Sequence, residues 1–349
     1  MEPTTLEHIF LWHVSLHSPP QKGLLRVLSE YAKDDEQKHQ LRSLVSIKKK
    51  KEYEELLESS PSLLDLLIKF DKCIPTVQHL LSVLPKLVHR YYSVSSSPLS
   101  DKCQIHFAFT VVENNFPEND FFPARTRAGV CTGWLEKKAL AMKNKLEYEE
   151  ESLPTNPFKK LPANAVPLWL NINSYFKLPQ ALLSPHNEEK AHLLLFATGT
   201  GITPFRSFWR HIHALKQQNE AYVLPDITLV FGCRSREKDF LYNQEIEEML
   251  QRKIISRLYT AFSREEKVEG EKRRYVDSVV RENQSFFADL VYKKDAVTYV
   301  CGDANGVVKS VQAIFLELFE RELKMDHHAA QKFLDNLKQE KKYIVEIWS

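Results

Sequence analysis

The stretch His192-Leu-Leu-Leu-Phe-Ala-Thr198, followed by Gly199-Thr-Gly-Ile-Thr-Pro-Phe205 and then RSFWRHIHALKQQ to Gln218, decides the fold. HLLLFAT reads as a strand. Two glycines and two threonines allow a close backbone approach, and Pro204 is tolerated in the first turn of the helix that follows. The same order continues down the chain. ITLVFGC leads to DFLYNQEIEEMLQ, SRLYTAFS to YVDSVVRENQSFFADLVY, and VTYVCGD to VVKSVQAIFLELFERE. This alternation predicts an α/β domain over 189–349, a doubly wound parallel sheet with helices on both faces. Ligands of such sheets bind at the carboxyl ends of strands. Gly199, Thr200 and Gly201, then Gly232-Cys233-Arg234, Ser263-Arg264 and Cys301-Gly302-Asp303, all fall at those ends. The turn is not the G-x-G-x-x-G fingerprint, because Pro204 holds the third glycine position.

Upstream, residues 90–188 have a β texture. RYYSVSSS, QIHFAFTVVE and VPLWLNINSYF read as strands, and the charged EKKALAMKNKLEYEEESLPTNP between them as a surface excursion or a short helix plus loop. Residues 1–89 read as helical. QKGLLRVLSEYA, DDEQKHQLRSLV, KKKKEYEELLES, SLLDLLIKF and TVQHLLSVL carry apolar residues at helical spacing, punctuated by Pro61, Pro75 and Pro85. The basic run Lys48–Lys51 reads as a solvated helix face paired with Glu52, Glu54 and Glu55.

The 349 residues suffice for two domains and a small third. A net charge of +2 gives no reason to expect nucleic acid or an anionic membrane as partner. No apolar run reaches the length of about 18 residues that suggests a membrane span. The first twenty residues lack a basic n-region and read as neither signal nor transit peptide. Five scattered cysteines make neither a disulfide framework nor a zinc spacing, so no metal is expected and a reducing, cytoplasmic setting is. Glycine is scarce, 9 in the chain against an average near 7%. Seven of these, including Gly129, Gly133 and Gly306, lie in or beside candidate sites.

Four sites stand out. In Arg90-Tyr91-Tyr92-Ser93, a strand sends Arg90 and Tyr92 one way and Tyr91 and Ser93 the other. A guanidinium can hold a diphosphate and a phenol ring can lie against a planar heterocycle, which suits a flavin dinucleotide. Taken alone it is equally an aromatic strand with a charged flank. Gly129-Val130-Cys131-Thr132 opens a helix, where backbone amides and the dipole attract an anion. A plain helix cap reads as well, and Cys131 reads as packing. Arg234, Ser263, Arg264, Arg273, Arg274 and Tyr275 place cations and a ring at strand ends, which suits the 2′-phosphate of NADP. Finally, Trp348 is penultimate in the terminal strand YIVEIWS, where an aromatic makes sense if it stacks on something flat.

In order, RYYSxSSSP, GVCTxWL, GTGITPFRSF, FGCR, AFSRE, YVCGD and the terminal IWS resemble the diflavin reductase family, along nearly the whole chain. GVCTGWL and YIVEIWS look like its methionine synthase reductase branch. The resemblance implies a ferredoxin reductase-like architecture in three parts: a helical connecting region (1–89), a partial antiparallel β-barrel domain for FAD (90–188) and an NADP-binding α/β domain (189–349). It implies an NADPH-dependent oxidoreductase using FAD and NADPH. Arg90, Tyr92, Ser93 and Gly129 to Thr132 would hold FAD. Gly199, Thr200, Gly201, Arg234, Ser263, Arg264, Arg273, Tyr275 and Asp303 would serve NADPH. Ser93, Cys301 and Glu346 would line the hydride path, with Trp348 covering the flavin. Electrons would pass to an FMN-containing domain or protein, with methionine synthase a candidate partner.

The chain also departs from the family pattern. It begins in the helical insert, so the FMN domain and the first barrel strands are expected to be missing, weakening FAD affinity or stability unless another chain completes the barrel. Glu346 stands where the family has Asp, Ala197-Thr198 where it has Gly-Pro, and Asn114 where an aromatic packs on adenine. Asp277 replaces a Gln and would oppose the phosphate. These departures support a second reading, a truncated, non-catalytic isoform or fragment that keeps NADP binding as an interaction module.

Overall fold

The computed structural model describes residues 5–143, 165–172, 175–184, 190–265 and 274–348. The chain forms two compact units, Met1–Tyr91 with Thr110–Trp169, and Tyr92–Phe109 with Leu170–Ser349.

In the first unit five helices form where the periodicity places them, preceded by a short one inside the span expected to be helical. They are α1 (Leu6–Trp12), α2 (Lys22–Glu30), α3 (Asp35–Val45), α4 (Lys50–Glu58), α5 (Leu63–Lys69) and α6 (Val77–Val83). Thr5, Asp34, Ser62 and Thr76 cap four of them with side-chain oxygens, relieving amides that have no intrahelical partner. Leu25, Leu28, Leu41, Leu56, Leu66 and Phe70 form a buried core. The basic run is paired, Lys49 with Glu52 at 2.8 Å and Lys50 with Glu54 at 3.4 Å, so it is a solvated helix face. A two-stranded antiparallel ribbon follows, β1 (Glu113–Phe116) and β2 (Arg125–Ala128). Arg127 ties it to the helices through Asp65 at 2.8 Å. The turn Gly129 then opens α7 (Val130–Lys143).

The strands expected over RYYS, QIHFAFTVVE and VPLWLNINSYF need correction. Residues 90–93 and 165–172 carry no strand, and 104–112 contribute only an isolated bridge, Phe107 to Val94. A strand requires a neighbouring ladder. Here a single backbone bond flanks that bridge, from Ser95 N–H to the His106 carbonyl at 2.7 Å, and the chain then turns, with Ser97 N–H donating to the Asp101 carboxylate at 2.8 Å. The strand that does form begins at Glu113, where QIHFAFTVVE was expected to end.

The second unit contains α8 (Gln180–Leu183), β3 (His192–Thr198), α9 (Thr203–Gln218), β4 (Asp226–Cys233), α10 (Arg236–Asp239) and α11 (Asn243–Gln251). Next come β5 (Arg257–Phe262), α12 (Val276–Glu282), α13 (Gln284–Tyr292), β6 (Val297–Asp303), α14 (Lys309–Glu322), α15 (His327–Gln339) and β7 (Tyr343–Trp348). The five strands pair in parallel in the order β5-β4-β3-β6-β7. Both faces are covered, which is why β4 is buried along its whole length. Along β3, Leu193, Leu195 and Ala197 join a core with α9, while Leu194 and Phe196 join another with α12 to α15. The strand order reverses at β3, which β4 and β6 flank, and ligands of open α/β sheets bind at such a point.

Candidate functional site

At the carboxyl end of β3, Thr198 passes into a 3-10 turn, Gly199–Ile202, and α9 begins at Thr203 with Pro204 in its first turn. Gly199 has φ +51°, a left-handed backbone that suits glycine. The next strand over is equally tight. A Cβ on Gly302 would lie 2.1 Å from Val307 and 3.0 Å from Thr198 Oγ1, so only a glycine brings the β6 end against this turn. Asp303 caps the following turn by accepting from Asn305 N–H at 3.1 Å, so its carboxylate has a local structural partner.

Beside this turn three predicted residues meet. Cys301 and Glu346 are register partners on β6 and β7. Ser93 Oγ donates to Glu346 Oε2 at 3.3 Å, and Cys301 Sγ lies 3.9 Å from the same oxygen. Burial, reinforced by Glu346, pushes the Cys301 thiol far up, so it stays protonated and acts as a weak donor, not a nucleophile. One carboxylate thus orients a hydroxyl and a thiol. Trp348 ends β7 opposite Asp303.

At the ends of β4 and β5, Arg264 N–H donates to the Arg234 carbonyl at 2.8 Å, and Ser263 N–H to the Cys233 carbonyl at 3.0 Å. These bonds bring the two arginines side by side. Both side chains are exposed, and neither has a carboxylate partner among the described residues. Two adjacent cations without partners suit an anion. Tyr275 is 49% exposed at the start of α12, leaving its ring open. Asp277 pairs with Arg281 at 2.6 Å, which offsets the charge expected to oppose a phosphate. Arg273 lies outside the described residues.

In the first unit, Arg90 is exposed and one of its nitrogens donates to the Val88 carbonyl. The Gly129–Thr132 turn is pinned to the chain before β1. Gly129 N–H donates to the Val112 carbonyl at 2.7 Å, and Val112 N–H to Thr132 Oγ1 at 3.1 Å. Val130 and Cys131 follow as the first residues of α7, whose 14 residues carry a full helix dipole behind the turn. In the second unit, the Tyr92 ring packs on Phe107 at 5.4 Å and Phe109 at 6.0 Å, so it has aromatic support on its own side of the chain.

The sequence reading missed a polar network in the second unit. Arg206 and Arg210 on α9 meet Asp101 and Glu245, and Trp209 Nε1 donates to Glu245 at 2.8 Å. The available signal was two arginines four apart, on one helix face, among apolar residues. Beside them is an open hollow of ≈ 430 Å³ lined by Ser95, Ile105, His106, Phe107, Arg206 and Tyr242. Among the described residues no group of three or more metal-ligating side chains exists, and no helix is long and apolar enough to cross a membrane.

Two family models match this chain. An FAD binding domain covers residues 1–134 and an oxidoreductase NAD-binding domain residues 195–313. Methionine synthase reductase of Rattus norvegicus is 33% identical over 100% of this chain and 48% of its own length. The Homo sapiens protein of that name is 31% identical over 99% of the chain and 48% of its length. NADPH–cytochrome P450 reductase of Dictyostelium discoideum is 28% identical, over 99% and 46%. The chain spans about half the length of the curated relatives it matches. Matched from end to end, the chain corresponds to the C-terminal part of these reductases and carries the FAD binding domain and the oxidoreductase NAD-binding domain in that order.

Proposed function

We propose that this chain is an NADPH-dependent flavin oxidoreductase module that takes hydride from NADPH onto FAD and passes electrons to an FMN-containing or other acceptor protein. The observation that carries the reading is the convergence of Ser93 and Cys301 on one oxygen of Glu346, at the carboxyl end of the sheet beside the Gly199 turn. Bound flavin supplies the redox chemistry. The residues supply orientation. Arg234, Arg264 and Tyr275 hold the 2′-phosphate end of NADPH, with Ser263 and, outside the described residues, Arg273. Gly199 to Gly201 admit its backbone closely. Arg90 and the Gly129–Thr132 turn hold the flavin diphosphate, Tyr92 supports the ring, and Trp348 covers it. Glu346 keeps the Ser93 hydroxyl and the Cys301 thiol aligned at the hydride path, and the burial of Cys301 keeps water away.

On this reading the tasks divide as a helical connecting region (1–89), an FAD-binding domain (90–188) and an NADP-binding domain (189–349). A methionine synthase reductase-like role, with methionine synthase as acceptor, rests on the names of the relatives alone; an FMN protein as acceptor rests on the motif resemblance, and a cytoplasmic setting on the five scattered cysteines. The test is a visible spectrum of the purified chain with added FAD, before and after anaerobic NADPH. A retained flavin that bleaches supports the reading. A colourless protein at micromolar FAD overturns it, and leaves the alternative of an NADP-binding interaction module.

A further inference from the structure

The segment that carries Tyr92 and Ser93 has no strand partner at 90–93, yet Ser93 reaches Glu346. Its anchorage lies a few residues on, and α9 provides it. Arg206 Nη1 donates to the Ser95 carbonyl at 3.2 Å, while its Nε and Nη2 bind Glu245 at 2.8 and 2.7 Å. Arg210 binds Asp101 through Nε at 2.8 Å and through Nη2, and Asp101 in turn accepts Ser97 N–H at 2.8 Å. Ser97 Oγ meets His211 Nδ1 at 3.2 Å. Ser95, Ser96, Ser97 and Asp101 are all buried. The charges balance, with Arg206 and Arg210 against Asp101 and Glu245. His106 sits 3.2 Å from Arg206 and 4.0 Å from Asp101.

We infer that Arg206 and Arg210 are positioning residues for hydride transfer: they clamp residues 95–101 onto α9 and thereby hold Ser93 against Glu346. The physical ground is the fork of Arg206, which reaches a carboxylate and a backbone carbonyl at once, as a single ammonium cannot. The same helix starts at the Gly199 turn, so one rigid element sets both the nucleotide turn and the serine segment. This inference rests on the oxidoreductase reading above.

The test uses the full chain with Arg206→Gln, Arg206→Lys and Arg210→Met, each checked for an unchanged circular dichroism spectrum. The first readout is amide hydrogen exchange, which needs no flavin. Arg206→Gln should raise exchange at 92–97 by roughly tenfold or more while β3 and β4 stay protected. Unchanged exchange at 92–97 overturns the clamp. The second readout is single-turnover flavin reduction at saturating NADPH. A loss of roughly 10- to 100-fold is expected for Arg206→Gln and Arg210→Met, with NADP⁺ affinity changed less than about threefold. Arg206→Lys should keep the melting temperature but not the rate. Looser exchange with an unchanged rate, or full rescue by lysine, means a purely structural role and overturns the inference. If wild-type protein retains no flavin, the oxidoreductase reading fails, and the exchange experiment alone decides the clamp.

Discussion

Glu346 holds two donors with one oxygen, so its removal should disturb orientation more than stability. It lies on the edge strand β7, where little packing depends on it. Glu346→Ala is expected to slow flavin reduction at saturating NADPH by roughly 10- to 100-fold, the scale of misplaced reacting groups, with little change in melting temperature. Stopped-flow bleaching checks this, and a wild-type rate would remove Glu346 from the hydride path. At the other end of the nucleotide, Arg264 is an exposed cation without a carboxylate partner among the described residues. Charge-assisted hydrogen bonds contribute about 1.5–3 kcal/mol, so Arg264→Ala should weaken NADPH by roughly tenfold or more and leave NADH nearly unchanged. Equal losses for both would mean that Arg264 does not read the 2′-phosphate. Arg264 stood out in the sequence because its motif falls at a strand end, and Glu346 through the family resemblance. Arg206, Arg210 and Asp101 did not, because partners more than 100 positions apart in sequence leave no local periodicity.

Among the elements, α2 to α6 and the sheet strands were predictable because helical spacing and buried β runs are local signals. The segment 104–112 alternates in the same way but lacks a ladder, and only partner strands turn alternation into a sheet. Its neighbour 95–101 is held instead by Asp101. Burial alone would raise the Asp101 pKa, but hydrogen bonds from Arg210, Ser97 and Ser100 hold it well below the usual carboxylate range. A depressed folded-state pKa means that the contribution is complete above the unfolded value of about 3.9 and is lost as pH falls below it. Asp101→Asn should therefore cost about 2 kcal/mol at pH 7, the cost of a partly exposed pair broken on one side. The variant should also lose part of its acid sensitivity below about pH 4. Urea melts from pH 3 to 7 measure this, and an acid limb identical to wild type would count against the role.

At the scale of the whole molecule, the two nucleotide-binding segments place different demands on the chain. Among the described residues the second unit carries a five-stranded sheet with two cores, and on the proposed reading NADP binds to that unit. NADP⁺ at about 100 times its dissociation constant should add about 2.7 kcal/mol to its stability, with or without FAD. A thermal or urea transition that NADP⁺ leaves unmoved would contradict an NADP site. The first unit exposes Val88, Tyr91, Leu168 and Trp169, and its only sheet among the described residues is the β1–β2 ribbon. Flavin retention is for that reason the more demanding measurement. The sequence alone determined the helical and parallel-sheet elements and the glycine turns, because each rests on short-range spacing, and the order of its motifs carried the resemblance to the diflavin reductases. Tertiary structure decided the rest. It put Ser93 within reach of a residue 253 positions away, buried the Cys301 thiol and closed the Arg206–Asp101 network. Such contacts depend on which strands become neighbours, and that follows from burying two faces of one sheet rather than from any local pattern.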